Sequence, residues 1–161
     1  MHSNGLVAGK LGERRLIRLK IKDIMTDHIA MVSPQATVVE AARLMQQHDV
    51  GSLPVCEGES LVGIVTDRDI VVRSVAHGKD PGMMPIREVM TQSVETISPE
   101  MEINRVAELM SKQQIRRLPV VDNNRLVGMV SLGDLATQAK TEVEVAKTLG
   151  EISQPSEPER L

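Results

Sequence analysis

Apolar positions along this chain come in two periods, and each marks a different element. From Val38 the apolar residues Val38, Ala41, Ala42 and Met45 recur at the 0, 3, 4, 7 spacing of one helix face. Thr37 with Glu40 supplies a capping box at its start. Two short apolar runs follow, Ser52 to Cys56 and Leu61 to Val65, separated by the turn Glu57-Gly58-Glu59-Ser60; they read as paired strands. Ahead of the helix, Ile29 to Ser33 alternates like a strand and is broken by Ser33-Pro34. A second helix is expected to open at Thr66.

The whole pattern then recurs. Gly63 returns as Gly128, 65 residues on, and every other landmark keeps that offset. Ile24-Met25-Thr26 recurs as Val89-Met90-Thr91, Ser33-Pro34 as Ser98-Pro99, and Leu53-Pro54-Val55 as Leu118-Pro119-Val120. The helix face returns as Ile103, Val106, Ala107 and Met110, although Glu102 and Arg105 replace the capping box. The strands return as Val94 to Ser98, Arg117 to Val121 and Leu126 to Val130, and the second helix as one opening at Ser131. The expected fold is α/β of the α+β type. Each repeat has a small mixed three-stranded sheet and two helices, and duplication relates the two by pseudo-two-fold symmetry. The expected boundaries are a basic arm over 1–20, repeats over 21–80 and 86–145, a linker over 81–85, and a tail over 146–161. Gly150 is the expected C-cap of a last amphipathic stretch.

Chemistry concentrates at the strand-to-helix junctions. Gly63-Ile64-Val65-Thr66-x-x-Asp69 and Gly128-Met129-Val130-Ser131-x-x-Asp134 share a hydroxyl residue followed three positions later by a carboxylate. Such a pair can close a helix start as a capping box. It can also offer an acceptor to a sugar hydroxyl beside N–H groups suited to phosphate. The spacing alone leaves both readings open.

Composition narrows the classes. The chain has 161 residues, 41% of them hydrophobic, with a net charge of −3 and no Phe, Tyr or Trp. The core must be aliphatic and filled by its ten Met residues. Absent aromatics and mild acidity argue against nucleic acid as a partner. No apolar run reaches membrane-spanning length. The single cysteine, Cys56, permits no internal disulfide, which fits a cytoplasmic location. His28, His48 and His77 have no ligand spacing, so no metal is expected.

Taken together, two in-register copies of Ile/Val-Met-Thr, Ser-Pro, helix, Leu-Pro-Val and Gly-x-x-Ser/Thr-x-x-Asp resemble a tandem pair of CBS domains, a Bateman module. They are closest in pattern to stand-alone bacterial CBS-pair proteins of the hypoxic-response type. The resemblance implies a non-enzymatic regulatory module that needs no cofactor. Such a module binds an adenosine-containing ligand (AMP, ADP or ATP) in the cleft between the repeats, dimerises with itself, and acts on a regulated protein that the sequence does not identify. It implies ribose contacts at Asp69 and Asp134, with Thr66 and Ser131 near the phosphates. Arg116 and Arg117 stand where relatives place phosphate-binding cations, while the first repeat has Gly51 and Ser52 there, so two unequal sites are expected. The alternatives are an S-adenosylmethionine sensor, or a ligand-free structural or interaction module in which both motifs are only caps. Arg68 is expected to pair with Asp67 or Asp69, Cys56 to be a small buried hydrophobe, and Met83-Met84 to pack locally.

Overall fold

The computed structural model describes residues 19–138 and 150–152. The expected arm before Leu19 and most of the chain beyond Gln138 lie outside the described residues. Gly150, expected to end a helix, is itself helical.

The first repeat runs α1 (Val38–His48), β1 (Ser52–Glu57), β2 (Ser60–Thr66) and α2 (Asp67–Arg73). The second runs α3 (Ile103–Gln113), β3 (Arg117–Asp122), β4 (Arg125–Ser131) and α4 (Leu132–Gln138). Thr37 caps α1 as expected: its Oγ1 accepts from Glu40 N–H at 3.2 Å, and Glu40 Oε2 accepts from Thr37 N–H at 2.7 Å. Glu102 gives α3 no side-chain cap. Both helices end on a left-handed residue, Asp49 at φ 51° and Gln114 at φ 55°.

β1 and β2 pair antiparallel, with Val55 opposite Gly63 and a bulge between Val55 and Cys56. Gly58 takes the positive φ, 60°, that this tight turn needs. In the β3–β4 hairpin the two turn residues Asn123 and Asn124 are both left-handed, the pattern of a type I′ turn.

The third strand of each expected sheet contracts to a single parallel bridge, Val32 with Val55 and Ile97 with Val120. Proline explains why. Val32 N–H donates to Pro54 O and Cys56 N–H donates to Val32 O. The next bond on either side would need an N–H from Pro54 or from Pro34, and neither has one. Pro119 and Pro99 impose the same limit around Ile97, whose N–H donates to Pro119 O.

Sequence repeat and spatial unit do not coincide. One compact unit holds residues 27–96 with 121–128; the other holds the described residues up to Thr26, with 97–120 and those from Met129 on. The two lead-ins are thereby exchanged. Ile86–Thr91 lies against the first repeat: Ile86 N–H donates to Ala36 O, Arg87 N–H to Pro34 O, and Ile64 and Thr91 exchange two bonds at 2.8 and 3.0 Å. Ile21–Thr26 lies against the second: Ile21 N–H donates to Met101 O, Lys22 N–H to Pro99 O, and Thr26 and Met129 exchange two bonds at 2.9 Å. The second lead-in is held further by charge, Glu100 accepting from Lys20 Nζ at 2.6 Å and Lys22 Nζ at 2.9 Å. These lysines pull the Glu100 carboxyl down to about 2.

Each unit has its own aliphatic core. In the first, Val38, Ala41 and Met45 of α1 pack with Leu53, Val55, Val65, Met84, Ile86 and Val89. Met84 is buried, whereas Met83 is 80% exposed. Ala42, expected on the same helix face, is exposed, although its counterpart Ala107 is buried. In the second unit Ile21, Ile97, Ile103, Val106, Met110, Leu118, Val120, Val130 and Leu135 are buried.

Candidate functional site

Both hydroxyl-x-x-Asp motifs form where a buried strand runs into a seven-residue helix. At the first, Thr66 keeps the extended backbone of β2 (φ −112°, ψ 160°) and α2 starts at Asp67. Thr66 Oγ1 accepts from Asp69 N–H at 3.0 Å, and Asp69 Oδ2 accepts from Thr66 N–H at 3.0 Å. At the second, Ser131 Oγ accepts from Asp134 N–H at 3.1 Å, and Asp134 Oδ2 accepts from Ser131 N–H at 2.8 Å. Both motifs are therefore closed capping boxes. Each leaves one carboxylate oxygen, Oδ1, outside the box, on a side chain that is only partly buried.

The surroundings of the two boxes differ. At the first, Asp67 N–H donates to Gly51 O at 2.9 Å and Arg68 N–H to Asp67 Oδ1 at 2.8 Å. With Asp69 N–H held by Thr66, all three N–H groups of the opening turn have protein acceptors. Arg73, one turn after Asp69, lies with Nε 3.9 Å from Asp69 Oδ1, and its Nη1 donates to Val89 O at 3.0 Å and Met90 O at 3.1 Å. Arg68, the expected partner, is exposed and forms no ion pair with either aspartate among the described residues. Its guanidinium would have to fold back across the first turn, whereas Arg73 stands at the i+4 position that faces Asp69.

At the second, Leu132 replaces Asp67 and is buried, and its N–H donates to Arg116 O at 2.8 Å. That bond sets Arg116 beside the Ser131–Asp134 box. Arg116 and Arg117 are exposed and lead into the buried Leu118. Gln138 occupies the offset of Arg73. Thr66 with Asp69 thus belong to one unit, and Ser131, Asp134, Arg116 and Arg117 to the other.

Two residues that matter here carried little sequence signal. Arg73 could have been found from its i+4 spacing to Asp69. Gly63 recurs visibly, but its cause is spatial: a Cβ there would lie 2.7 Å from Thr91 O. Cys56 is buried, and burial raises its thiol above the ordinary value. Among the described residues no cluster of His, Cys, Asp or Glu could hold a metal ion, and no helix is long and apolar enough to cross a membrane.

Two exchanged α/β repeats, each ending a hairpin in a hydroxyl-x-x-Asp helix start, define a duplicated regulatory module rather than a catalytic cleft. The family model for the CBS domain matches residues 21–75 and again 86–140, and the chain belongs to that family as a tandem pair. CBS pairs are generally regulatory, non-catalytic modules. The chain is 47% identical over 133 residues to the CBS domain-containing protein YhcV of Bacillus subtilis, covering 83% of this chain and 94% of that one. The solved structure of Hypoxic Response Protein I with two coordinated zinc ions superposes with a TM-score of 0.69 at 34% identity, over 74% of this chain and 98% of that one. The CBS domain pair of protein MJ0100, solved in complex with 5'-methylthioadenosine and S-adenosyl-L-methionine, gives a TM-score of 0.66 at 32% identity, over 74% and 94%.

Proposed function

We propose that this chain is a cytoplasmic, non-enzymatic sensor of an adenosine-containing ligand (AMP, ADP or ATP), and that the ligand biases the action of a regulated protein. The ribose hydroxyls donate to the free oxygen of Asp69 or Asp134, with Thr66 or Ser131 close by. Arg116 and Arg117 pair the phosphates, since a buried phosphate charge needs a matching donor fork. One observation carries the reading. The bond from Leu132 N–H to Arg116 O holds a guanidinium-bearing residue next to a partly exposed carboxylate, so cation and diol acceptor stand side by side. The adenosine-type ligands of MJ0100 support the same class. With no aromatic side chain in the sequence, adenine rests on aliphatic groups and backbone.

A second reading has its own support. Both boxes are closed without any ligand, as a purely structural module requires. Calorimetric titration with AMP, ATP and S-adenosylmethionine separates the two. Micromolar nucleotide binding, weakened far more for AMP than for adenosine by Arg117→Ala, is the expected result. Preference for S-adenosylmethionine would shift the ligand class. No heat with any of the three makes the module ligand-free.

The sensor is further proposed to be a homodimer. Val71, Val72 and Val75 are 56%, 47% and 58% exposed, beside a shallow groove of about 370 Å³ lined by Val39, Ala42, Ile70 and Pro81. A second copy covers such a face by isologous contact. Light scattering that gives a monomer at micromolar concentration would remove this part.

A further inference from the structure

The first hydroxyl-x-x-Asp element is already filled by the chain's own charged groups, and the second is not. Asp67 and Arg73 do the filling. Asp67 takes the Arg68 N–H, a first-turn donor that would otherwise face an anion, and sets a carboxylate at that spot. Arg73 sets its guanidinium 3.9 Å from Asp69 Oδ1, the one oxygen that the capping box leaves over. Arg73 is not loosely placed. Its two bonds to Val89 O and Met90 O tie it to the lead-in that also pairs with β2 through Ile64 and Thr91. Neither device exists at the second element, where Leu132 and Gln138 occupy the same offsets. There Gly133 follows an apolar residue instead of a carboxylate, Asp134 has no arginine at i+4, and Arg116 stands alongside.

We propose that Asp67 and Arg73 close the first element to ligand, so that Asp134 alone takes the ribose of an adenine nucleotide. Asp67 acts by repelling phosphate and occupying a donor; Arg73 is a positioning residue acting through Asp69. The proposal rests on the adenosine reading above and says which half of the molecule carries it. The sequence difference that matters is then not only the added Arg116 and Arg117 of the second repeat. It is equally the charge pair at Asp67 and Arg73 of the first.

The test transplants the second element's residues into the first. AMP is titrated calorimetrically into the full chain as wild type, D134A, the double variant D67L/R73Q, and that double variant carrying D69A. Wild type is expected to bind one equivalent, weakened at least tenfold by D134A. D67L/R73Q is expected to bind a second equivalent, which D69A removes again. A purely structural role for Arg73 would not add a binding site. Arg73→Lys, which keeps a cation near Asp69, should stay at one equivalent. Should the double variant melt early, D67L alone keeps every Arg73 bond and should still raise first-element affinity several-fold. Two equivalents in wild type, wild-type binding that survives D134A, or a folded D67L/R73Q with no added binding overturns the proposal while leaving the adenosine reading standing. No AMP binding by wild type and D67L/R73Q alike overturns both.

Discussion

Replacing Gly63 by alanine puts a methyl carbon 2.7 Å from Thr91 O and 3.0 Å from Met90 Sδ, where ordinary contact begins at 3.4 Å. The sulfur can swing away, but the carbonyl cannot move freely. Thr91 O accepts the Ile64 N–H at 3.0 Å, and Thr91 N–H donates to Ile64 O at 2.8 Å. Opening the gap by the missing distance, roughly 0.7 Å, stretches both bonds beyond useful length. Overpacking of this kind costs about 1–3 kcal/mol, and each weakened bond about 0.5–1.5 kcal/mol more. Alanine returns about 0.4–1 kcal/mol by restricting the unfolded chain. The net expectation is a loss of about 2–3 kcal/mol, read as a lower urea midpoint at unchanged slope. Gly133→Ala is the matched control, since its Cβ meets nothing closer than Ser131 Oγ at 3.6 Å. In a first helical turn that change should be neutral or stabilising by up to about 1 kcal/mol. A G63A protein within about 0.5 kcal/mol of wild type would refute the argument from close approach.

The buried Ser74 Oγ has no hydrogen-bond partner, and alanine stands at the same offset in the second repeat. Ser74→Ala should therefore be neutral or stabilising by up to about 1 kcal/mol; a clear loss in thermal melting would show that the hydroxyl is satisfied. Glu100 has a folded value of about 2, below its ordinary 4.5, so its contribution is complete above pH 4.5 and disappears as pH falls toward 2. Urea midpoints across that window should drop more steeply for wild type than for Glu100→Gln, with the difference shrinking in high salt; parallel curves would exclude the lysine clamp. Cys56, buried and raised, should react with a thiol reagent at pH 8 only as fast as the protein opens; instant labelling of the native chain would contradict its burial.

What could be read from the residues were features whose cause is local. The box of Thr37 and Glu40, the helix starts at Thr66 and Ser131 and the hairpin turns each depend on a few consecutive residues, and each is present. The CBS pair was legible because a fixed offset survives across the whole duplicated stretch. Periodicity could not separate Ala42 from Ala107, because both sit at the same helical phase and only their neighbours differ. The shortened strands were written in the sequence, but in the prolines of the partner strand, Pro54 and Pro119, rather than in the strands themselves. Arg73 went unnoticed because its two strongest contacts are carbonyls 16 and 17 residues away, and a backbone oxygen leaves no trace in a sequence.

The crossed lead-ins decide what can be cut from this protein. Scissors placed at residue 80 would release a first half carrying Ile21–Thr26 with nothing to lie on, and lacking the Ile86, Val89 and Thr91 that complete its own core and sheet edge. Neither half is a stand-alone domain, yet the two fragments hold complementary pieces and should reassemble when mixed. A single-repeat ancestor faces the same shortage, and it is made whole only by trading lead-ins with a second molecule. Joining two such copies in one gene replaces an encounter in solution by a tethered one, with an effective concentration in the millimolar range. Duplication here is then less the addition of a second domain than the permanent marriage of a pair that never existed singly.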